Sequence, residues 1–417
     1  MAERALLVVV ELGRHAAWPL EEEERELQDL LRSCGGEAVA VVRAKRQAPS
    51  ATCFVGQGKA EEIAAAAKAH QAQVVIFNEE LSPAQQRNLQ KLITVKTIDR
   101  TQLILDIFAQ RAHSQEGKVQ VELAQLKYAL PRLAGLGTVL SRMGGGIGTR
   151  GPGETMLETD RRHVRAHIQR LSRELDTLER RRGATRKQRH EARTPTVALV
   201  GYTNAGKTTL LNTLTEAGAV AENRLFTTLD PLSRRYVLPN HQTVIFSDTV
   251  GFLHRLPHEL IEAFHATLEE VIEADLLLHV LDGSHPQALA YGEAVREVLR
   301  ELGAADKLML TVLNKMDQAT DARLLHELTR TFAPTVTISA KTGEGLDALV
   351  AWVSQHIESG LADVDVLLPL DHMELLHAMY REGRVHQRED RHTGVHVVAS
   401  VPLRLKARLD ALLKRPA

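Results

Sequence analysis

A chain of 417 residues is too long for one ordinary core and implies roughly two to four domains. Its hydrophobic fraction of 44% and charged fraction of 25% are those of folded water-soluble domains, and a formal net charge of −1 excludes a polyanion-binding field spread over the whole molecule. Any nucleic-acid contact therefore has to come from a local patch.

The first apolar run, Ala5 to Leu12, has the length of a buried strand. It carries no cationic flank or small-residue cleavage site and is far shorter than the ~20 apolar residues a membrane span needs. No membrane span and a cytoplasmic location are expected. Cys34 and Cys53 fit no metal spacing and are read as two plain thiols of a reducing compartment.

Up to residue 112 the chain alternates apolar runs beginning at Ala5, Ala38, Val74 and Val95 with amphipathic stretches around Glu22–Leu31, Ala60–Ala69 and Pro83–Leu92. That alternation predicts a small, mostly parallel α/β sheet. The texture then changes over 113–194. Val119, Leu123, Leu126, Leu130 and Leu133 form one apolar seam, and Val164, Ile168, Leu171, Leu175 and Leu178 form another. Steps of three and four residues make these helices. They join either as an antiparallel hairpin or as two surface helices packed on a domain.

Between the seams, Gly135–Glu154 reads GLGTVLSRMGGGIGTRGPGE, with Arg142 and Arg150 among glycines that include Gly144, Gly145 and Gly146. Glycine this dense holds no core but lets backbone approach another surface closely. The segment is either a linker or an RNA-contacting tip, and two arginines favour the tip. The run Arg180–Arg193 holds a single acid, Glu191, and has the charge for phosphate-backbone contact, although a solvated linker would look the same.

Specific chemistry begins in the segment 195–358. The strand pattern Thr196–Val200 runs into Gly201-Tyr202-Thr203-Asn204-Ala205-Gly206-Lys207-Thr208, followed by a helix from Thr209. Strand, glycine loop and helix in this order make a P-loop: backbone N–H groups at a helix N-terminus hold phosphates, Lys207 reaches the β- and γ-phosphates, and the Thr208 hydroxyl binds Mg²⁺. After the strand from Thr243 comes Asp248-Thr249-Val250-Gly251, with Asp248 placed to hold a Mg²⁺ water and the Gly251 N–H to meet the γ-phosphate. Upstream, Phe226-Thr227-Thr228-Leu229-Asp230 offers Thr228 as a second Mg²⁺ ligand that also senses the γ-phosphate. Downstream lie Asn314-Lys315-Met316-Asp317 and Ser339-Ala340-Lys341. The Asp317 carboxylate can accept from guanine N1–H and N2–H₂. Adenine lacks that donor pair, and discrimination of this kind reaches roughly 10⁴–10⁵. Lys315 can lie along the base, and the backbone at Ala340 can reach guanine O6. Lys207, Thr228 and Gly251 are thus the expected catalytic set, and GTP or GDP the expected ligand. Phe252 follows Gly251 where Ras-like GTPases carry a water-orienting glutamine, so hydrolysis is expected to be slow until a large partner stimulates it.

Beyond these motifs, FVGQGKAEEI from Phe54, IDRTQLILDIFAQRA from Ile98, GGGIGTRGPGETMLETDRR from Gly144 and DTVGFLHRLPHELIEAF from Asp248 resemble the HflX family of ribosome-associated GTPases over nearly the whole chain. The resemblance implies an α/β fold class: an N-terminal small α/β domain (1–112), an antiparallel helical hairpin (113–194) and a Ras-like P-loop domain (195–358), while LPLDHMELLHAM and VHVVASV make 359–417 read as a small α+β unit. It further implies binding to the 50S subunit and 70S ribosome near the peptidyl-transferase centre and separation of stalled or idle ribosomes, with Arg142 to Arg150 as the probing tip; a monomer is expected. ATP binding by some members would fall on Gly56-Gln57-Gly58-Lys59, which lacks P-loop spacing. A GTPase of ribosome assembly or RNA modification, and a nucleotide-gated binding module that hydrolysis merely resets, are the competing readings.

Overall fold

The computed structural model describes residues 2–13, 18–133, 161–178, 180, 194–215, 226, 232–240, 242–253, 265–357, 361–402, 405, 406 and 408–410. Its contacts divide into two units. The first comprises Met1–Leu178, Glu222–Asp230 and Arg255–His265; the second comprises Glu179–Ala221, Pro231–His254 and Ala266–Ala417.

In the first unit, β1 (Arg4–Leu12), β2 (Glu37–Arg46), β3 (Val74–Phe77) and β4 (Lys96–Asp99) form an all-parallel sheet in the order β2-β1-β3-β4. Ala5 to Val10 are fully buried, as a strand covered on both faces must be. Helices α2 (Gln57–Ala69) and α3 (Pro83–Ile93) cover the face of Leu6, Val8 and Val10 through Ile63 and Leu89. Ser82 starts α3 with a capping box, its hydroxyl accepting from the Gln85 N–H while the Gln85 side chain accepts from the Ser82 N–H. Helix α1 (Leu20–Ser33) matches the predicted amphipathic stretch. Helix α4 (Arg100–Arg111) does not follow from the alternation pattern. Leu103, Ile104, Leu105, Ile107 and Phe108 are all buried, so the apolar run is nearly continuous and leaves only a narrow polar face at Gln102, Asp106 and Gln110.

The two seams form the hairpin. Val119, Leu123 and Leu126 of α5 (Gln115–Arg132) pack on Ile168, Leu171 and Leu175 of α6 (residues 161–178). Gln115 Nε2 donates to Glu174 Oε1 at 3.0 Å, and His167 lies 3.3 Å from Glu122, so the helices run antiparallel.

In the second unit the sheet order is β10-β9-β8-β5-β7-β6. The strands are β5 (Thr196–Val200), β6 (Leu232–Val237), β7 (Thr243–Asp248), β8 (Leu276–Asp282), β9 (Met309–Asn314) and β10 (Thr335–Thr337). Only β6 is antiparallel to its neighbour. Helices α7 (Lys207–Thr215), α8 (His265–Glu273), α9 (Ala288–Glu301), α10 (Ala322–Thr331) and α11 (Leu346–His356) alternate with the strands. This is the doubly wound P-loop architecture, in which ligands bind beyond the carboxyl ends of the strands. Register puts Asp248 beside Leu199, and Asn314 beside Asp282, at that one edge.

The remaining part of this unit is α+β, as predicted: β11 (Leu361–Leu368), α12 (Met373–Glu382), β12 (Arg384–Arg391) and β13 (Gly394–Pro402). They give an antiparallel sheet of order β11-β13-β12, whose Val397, Ala399 and Val401 pack on Leu375, Leu376 and Met379. Among the described residues no helix is long and apolar enough to cross a membrane. Cys34 and Cys53 are free thiols, and burial pushes Cys34 up to about 12.

Candidate active site

The loop from Gly201 to Gly206 leaves the buried strand β5 and enters α7 at Lys207. Asn204 and Gly206 take left-handed backbone, with φ of 62° and 97°. Glycine is required at 206 for a second reason, since a Cβ there would stand 2.3 Å from Asn314 Nδ2. Lys207 is folded into the loop, and its Nζ donates to the Gly201 and Tyr202 carbonyls at 3.0 Å each. Burial lowers its ammonium to about 8, and the Asp248 carboxylate opposes that shift. A buried cation whose two hydrogen bonds go to backbone carbonyls is poised to gain an anionic partner.

Asp248 ends β7, fully buried. The Thr208 hydroxyl donates to its Oδ2 at 2.7 Å. A hydroxyl and a carboxylate this close are hard oxygen donors, the set Mg²⁺ takes, and that ion completes its shell with waters and phosphate oxygens. Thr249 donates from Oγ1 to the Leu199 carbonyl at 2.6 Å, tying the strand end to β5.

Past Gly251 the chain is stitched to the P-loop. Phe252 N donates to the Gly201 carbonyl at 3.1 Å and its own carbonyl accepts from Thr203 N at 2.9 Å. The Phe252 ring is 3% exposed. Gly251 is pressed against this loop: a Cβ on it would lie 2.8 Å from both Cα and Cγ2 of Thr203 and 3.1 Å from Lys207 Nζ.

Asn314–Asp317 and Ser339–Lys341 converge on the same edge. Asn314, 2% exposed, donates from Nδ2 to the Ala205 carbonyl at 2.8 Å and accepts from Ala340 N at 2.9 Å. One amide side chain thus fastens the P-loop to the Ser339-Ala340-Lys341 turn. Ser339 donates from Oγ to Asp317 Oδ1 at 2.7 Å, and that bond holds the Asp317 carboxyl below the usual carboxylate range. The Asp317 side chain is aimed while its group stays in solvent. Met316 packs in the apolar cluster of Leu313 and Phe332, which anchors the turn.

Three contacts were not legible as motifs. Lys315 pairs with Asp282 at 2.7 Å, which fixes its direction along the turn. Tyr202 stacks on Tyr291 at 4.1 Å and 6°, and Tyr291 on His285 at 4.8 Å, bracing the P-loop from α9. Thr203 Oγ1 is buried without a hydrogen-bond partner. Phe226 belongs to the first unit, where its ring meets Phe108 edge-on at 4.6 Å. Thr227, Thr228, Leu229 and Asp230 lie outside the described residues, as do Arg142, Gly144, Gly145, Gly146, Arg150 and most of the basic run.

Known families match along the chain. Residues 21–109 match the family described as "GTP-binding GTPase N-terminal", 111–189 "GTP-binding GTPase Middle Region", 196–315 "50S ribosome-binding GTPase" and 325–415 "HflX C-terminal domain". The GTPase HflX of Caldanaerobacter subterraneus is 44% identical over 98% of this chain and 93% of its own. That of Escherichia coli K12 is 46% identical over 84% of this chain and 82% of its own. A GDP complex of a Sulfolobus solfataricus GTP-binding protein is 24% identical, covering 86% of this chain and 99% of that one, with a TM-score of 0.45. With relatives of this identity spanning nearly its full length, and a P-loop, Asp248–Gly251, Asn314–Asp317 and Ser339–Lys341 gathered at one sheet edge, the chain belongs to the HflX family of ribosome-associated GTPases and hydrolyses GTP.

Proposed function

We propose that the chain binds GTP at Gly201–Thr209, reads guanine with Asp317, and uses the energy of nucleotide binding to dissociate stalled or idle 70S ribosomes in the cytoplasm. The observation that best supports guanine is the aimed Asp317 carboxylate, set by Ser339 at 2.7 Å beside the Ala340 amide that Asn314 holds. The Asp317 oxygens accept the two guanine donors, Lys315 lies on the base face under its Asp282 pairing, and the Ala340 region meets O6. Lys207 and the loop amides hold the phosphates, and the Gly251 N–H meets the γ-phosphate.

Thr208, Thr228 and, through water, Asp248 would hold Mg²⁺, which when bound neutralises charge on the β- and γ-phosphates. Among the described residues no cluster of three or more His, Cys, Asp or Glu could hold a metal without such help. Phe252 offers no polar group, so turnover by the free protein is slow and rises at least about tenfold with large subunits or 70S particles.

Binding to the 50S subunit is supported by the described family of residues 196–315 and by the composition of the Gly/Arg segment carrying Arg142 and Arg150. Those arginines contact ribosomal RNA near the peptidyl-transferase centre, from a helical domain (113–194) separate from the GTPase domain (195–358). Sucrose-gradient sedimentation of 70S ribosomes with the protein and either GTP or a non-hydrolysable analogue tests this. Subunits released with either nucleotide are expected. Particles that stay at 70S with both would rule out splitting, and exclusive binding to precursor subunits would favour an assembly GTPase.

A further inference from the structure

Slow GTP hydrolysis still needs a group that holds the attacking water, and the Phe252 position cannot supply one. Its backbone N–H and carbonyl are both committed to Gly201 and Thr203, and its ring is packed away from solvent. The space that a γ-phosphate would enter has three walls among the described residues. Gly251, Lys207 Nζ and Thr203 come so close that one added carbon on Gly251 would touch the other two, at 3.1 Å and 2.8 Å. Two walls already have evident roles, an N–H and an ammonium. The third carries a hydroxyl.

That hydroxyl is anomalous. Thr203 is 7% exposed and its Oγ1, fully buried, has no hydrogen-bond partner, whereas its backbone N–H is satisfied by Phe252. Buried polar atoms nearly always find partners, and an exception beside a reaction centre points to a partner that arrives with the substrate. Cγ2 is the branch nearest Gly251. A single staggered step in χ1 carries the hydroxyl into the place the methyl holds and the methyl into that of the β-hydrogen, so the hydroxyl reaches that place by side-chain rotation. The next residue, Asn204, has the left-handed φ of 62° that turns the loop here and fixes where Thr203 stands.

We propose that Thr203 supplies the hydroxyl that positions the attacking water against the γ-phosphate, taking over the orienting task that the Phe252 position has given up. The proposal rests on Lys207 and Gly251 being γ-phosphate contacts. Oγ1 accepts a hydrogen bond from the water and donates a hydrogen bond, through its own O–H, to a γ-phosphate oxygen. The water oxygen bonds to the γ-phosphorus while the bond from that phosphorus to the β–γ bridging oxygen breaks. The electron pair leaves on the β-phosphate of GDP, and the water's proton passes to a γ-phosphate oxygen. Thr203 keeps its own proton throughout and is a positioning residue.

The test is single-turnover GTP hydrolysis by full-length protein without ribosomes, alongside the affinities for GDP and a non-hydrolysable GTP analogue. Thr203→Val keeps the shape and removes the hydroxyl. Its rate should fall about tenfold to a hundredfold, with both affinities within about threefold of the parent. Thr203→Ser should recover most of the rate, because it restores the hydroxyl without the methyl. A valine variant that hydrolyses at the parent rate overturns the proposal. So does a serine variant as slow as the valine one, which would assign the effect to packing of the methyl. Should circular dichroism show the valine variant unfolded, Thr203→Ala against Thr203→Ser gives the same comparison. The underlying phosphate reading fails separately, if Lys207→Ala binds the analogue as tightly as the parent does.

Discussion

Asn314 Nδ2 donates to the Ala205 carbonyl at 2.8 Å while its Oδ1 accepts from Ala340 N at 2.9 Å, so one buried amide spans the Gly201–Gly206 loop and the Ser339–Lys341 turn. Asn314→Ala leaves a buried carbonyl and a buried N–H unpaired, at about 1–3 kcal/mol each. Affinity for GTP and GDP should fall together, by about tenfold or more, because the damage precedes any contact with the γ-phosphate. Titration with both nucleotides checks it, and a loss confined to GTP would remove the bridging role.

Asp317→Asn turns an acceptor into a mixed group whose N–H₂ faces the guanine donors. GTP binding should weaken by about 2 kcal/mol or more, and xanthine nucleotide, with a carbonyl where guanine has its amine, should bind better than GTP. Competition between GTP and XTP for the purified variant decides the matter. Ser339→Ala should move affinity in the same direction but less, since it releases the aim of the carboxylate without removing it.

Gly251→Ala places a methyl 2.8 Å from Thr203 Cα, where backbone rather than a flexible tip has to give. Hydrolysis should drop by about a hundredfold while GDP affinity stays within about threefold, because the strain falls on the γ-phosphate side of the loop. Equal losses of GDP and GTP binding would show that the loop as a whole has collapsed.

What could be read from sequence was whatever is local. Gly201–Thr208 is legible because strand, glycine loop and helix are contiguous, and Asp248, Asn314 and Asp317 because each ends a strand of a recognisable apolar run. The helical seams were legible too, and of the two arrangements they allowed, Gln115 with Glu174 and Glu122 with His167 select the antiparallel hairpin. Contacts between distant segments carry no periodic signature. Nothing in the sequence joins Tyr202 to Tyr291, or Lys315 to Asp282, and the unpaired Thr203 hydroxyl is a fact of burial rather than of spacing. Helix α4 escaped because the near-continuous burial from Leu103 to Phe108 left only a narrow polar face.

The last prediction concerns His279, in the middle of β8, which pairs with Val200 in register and is fully buried with neither ring nitrogen hydrogen-bonded. Its ring meets Phe332 edge-on at 5.8 Å. Burial, with the charges of Arg296 and Lys207 adding to it, lowers the imidazole from 6.5 to about 3. The folded protein therefore holds a neutral ring at pH values where the unfolded chain takes up a proton. Below pH 6.5 the unfolded state binds more protons than the folded one, so stability falls as pH drops from about 6.5 towards 3 and is flat above 7. From these two values the loss between pH 7 and pH 5 comes to about 2 kcal/mol. His279→Leu keeps an apolar body of similar size and removes two unpaired nitrogens, so it should be neutral or stabilising at pH 7. Carboxylates titrating in the same range affect parent and variant alike, so the informative quantity is the difference between them. Thermal denaturation at pH 7 and pH 5 should show a smaller drop in Tm for the leucine variant. Equal drops in the two proteins would mean that His279 finds a proton-sharing partner in solution and is not the acid-sensitive point of this sheet.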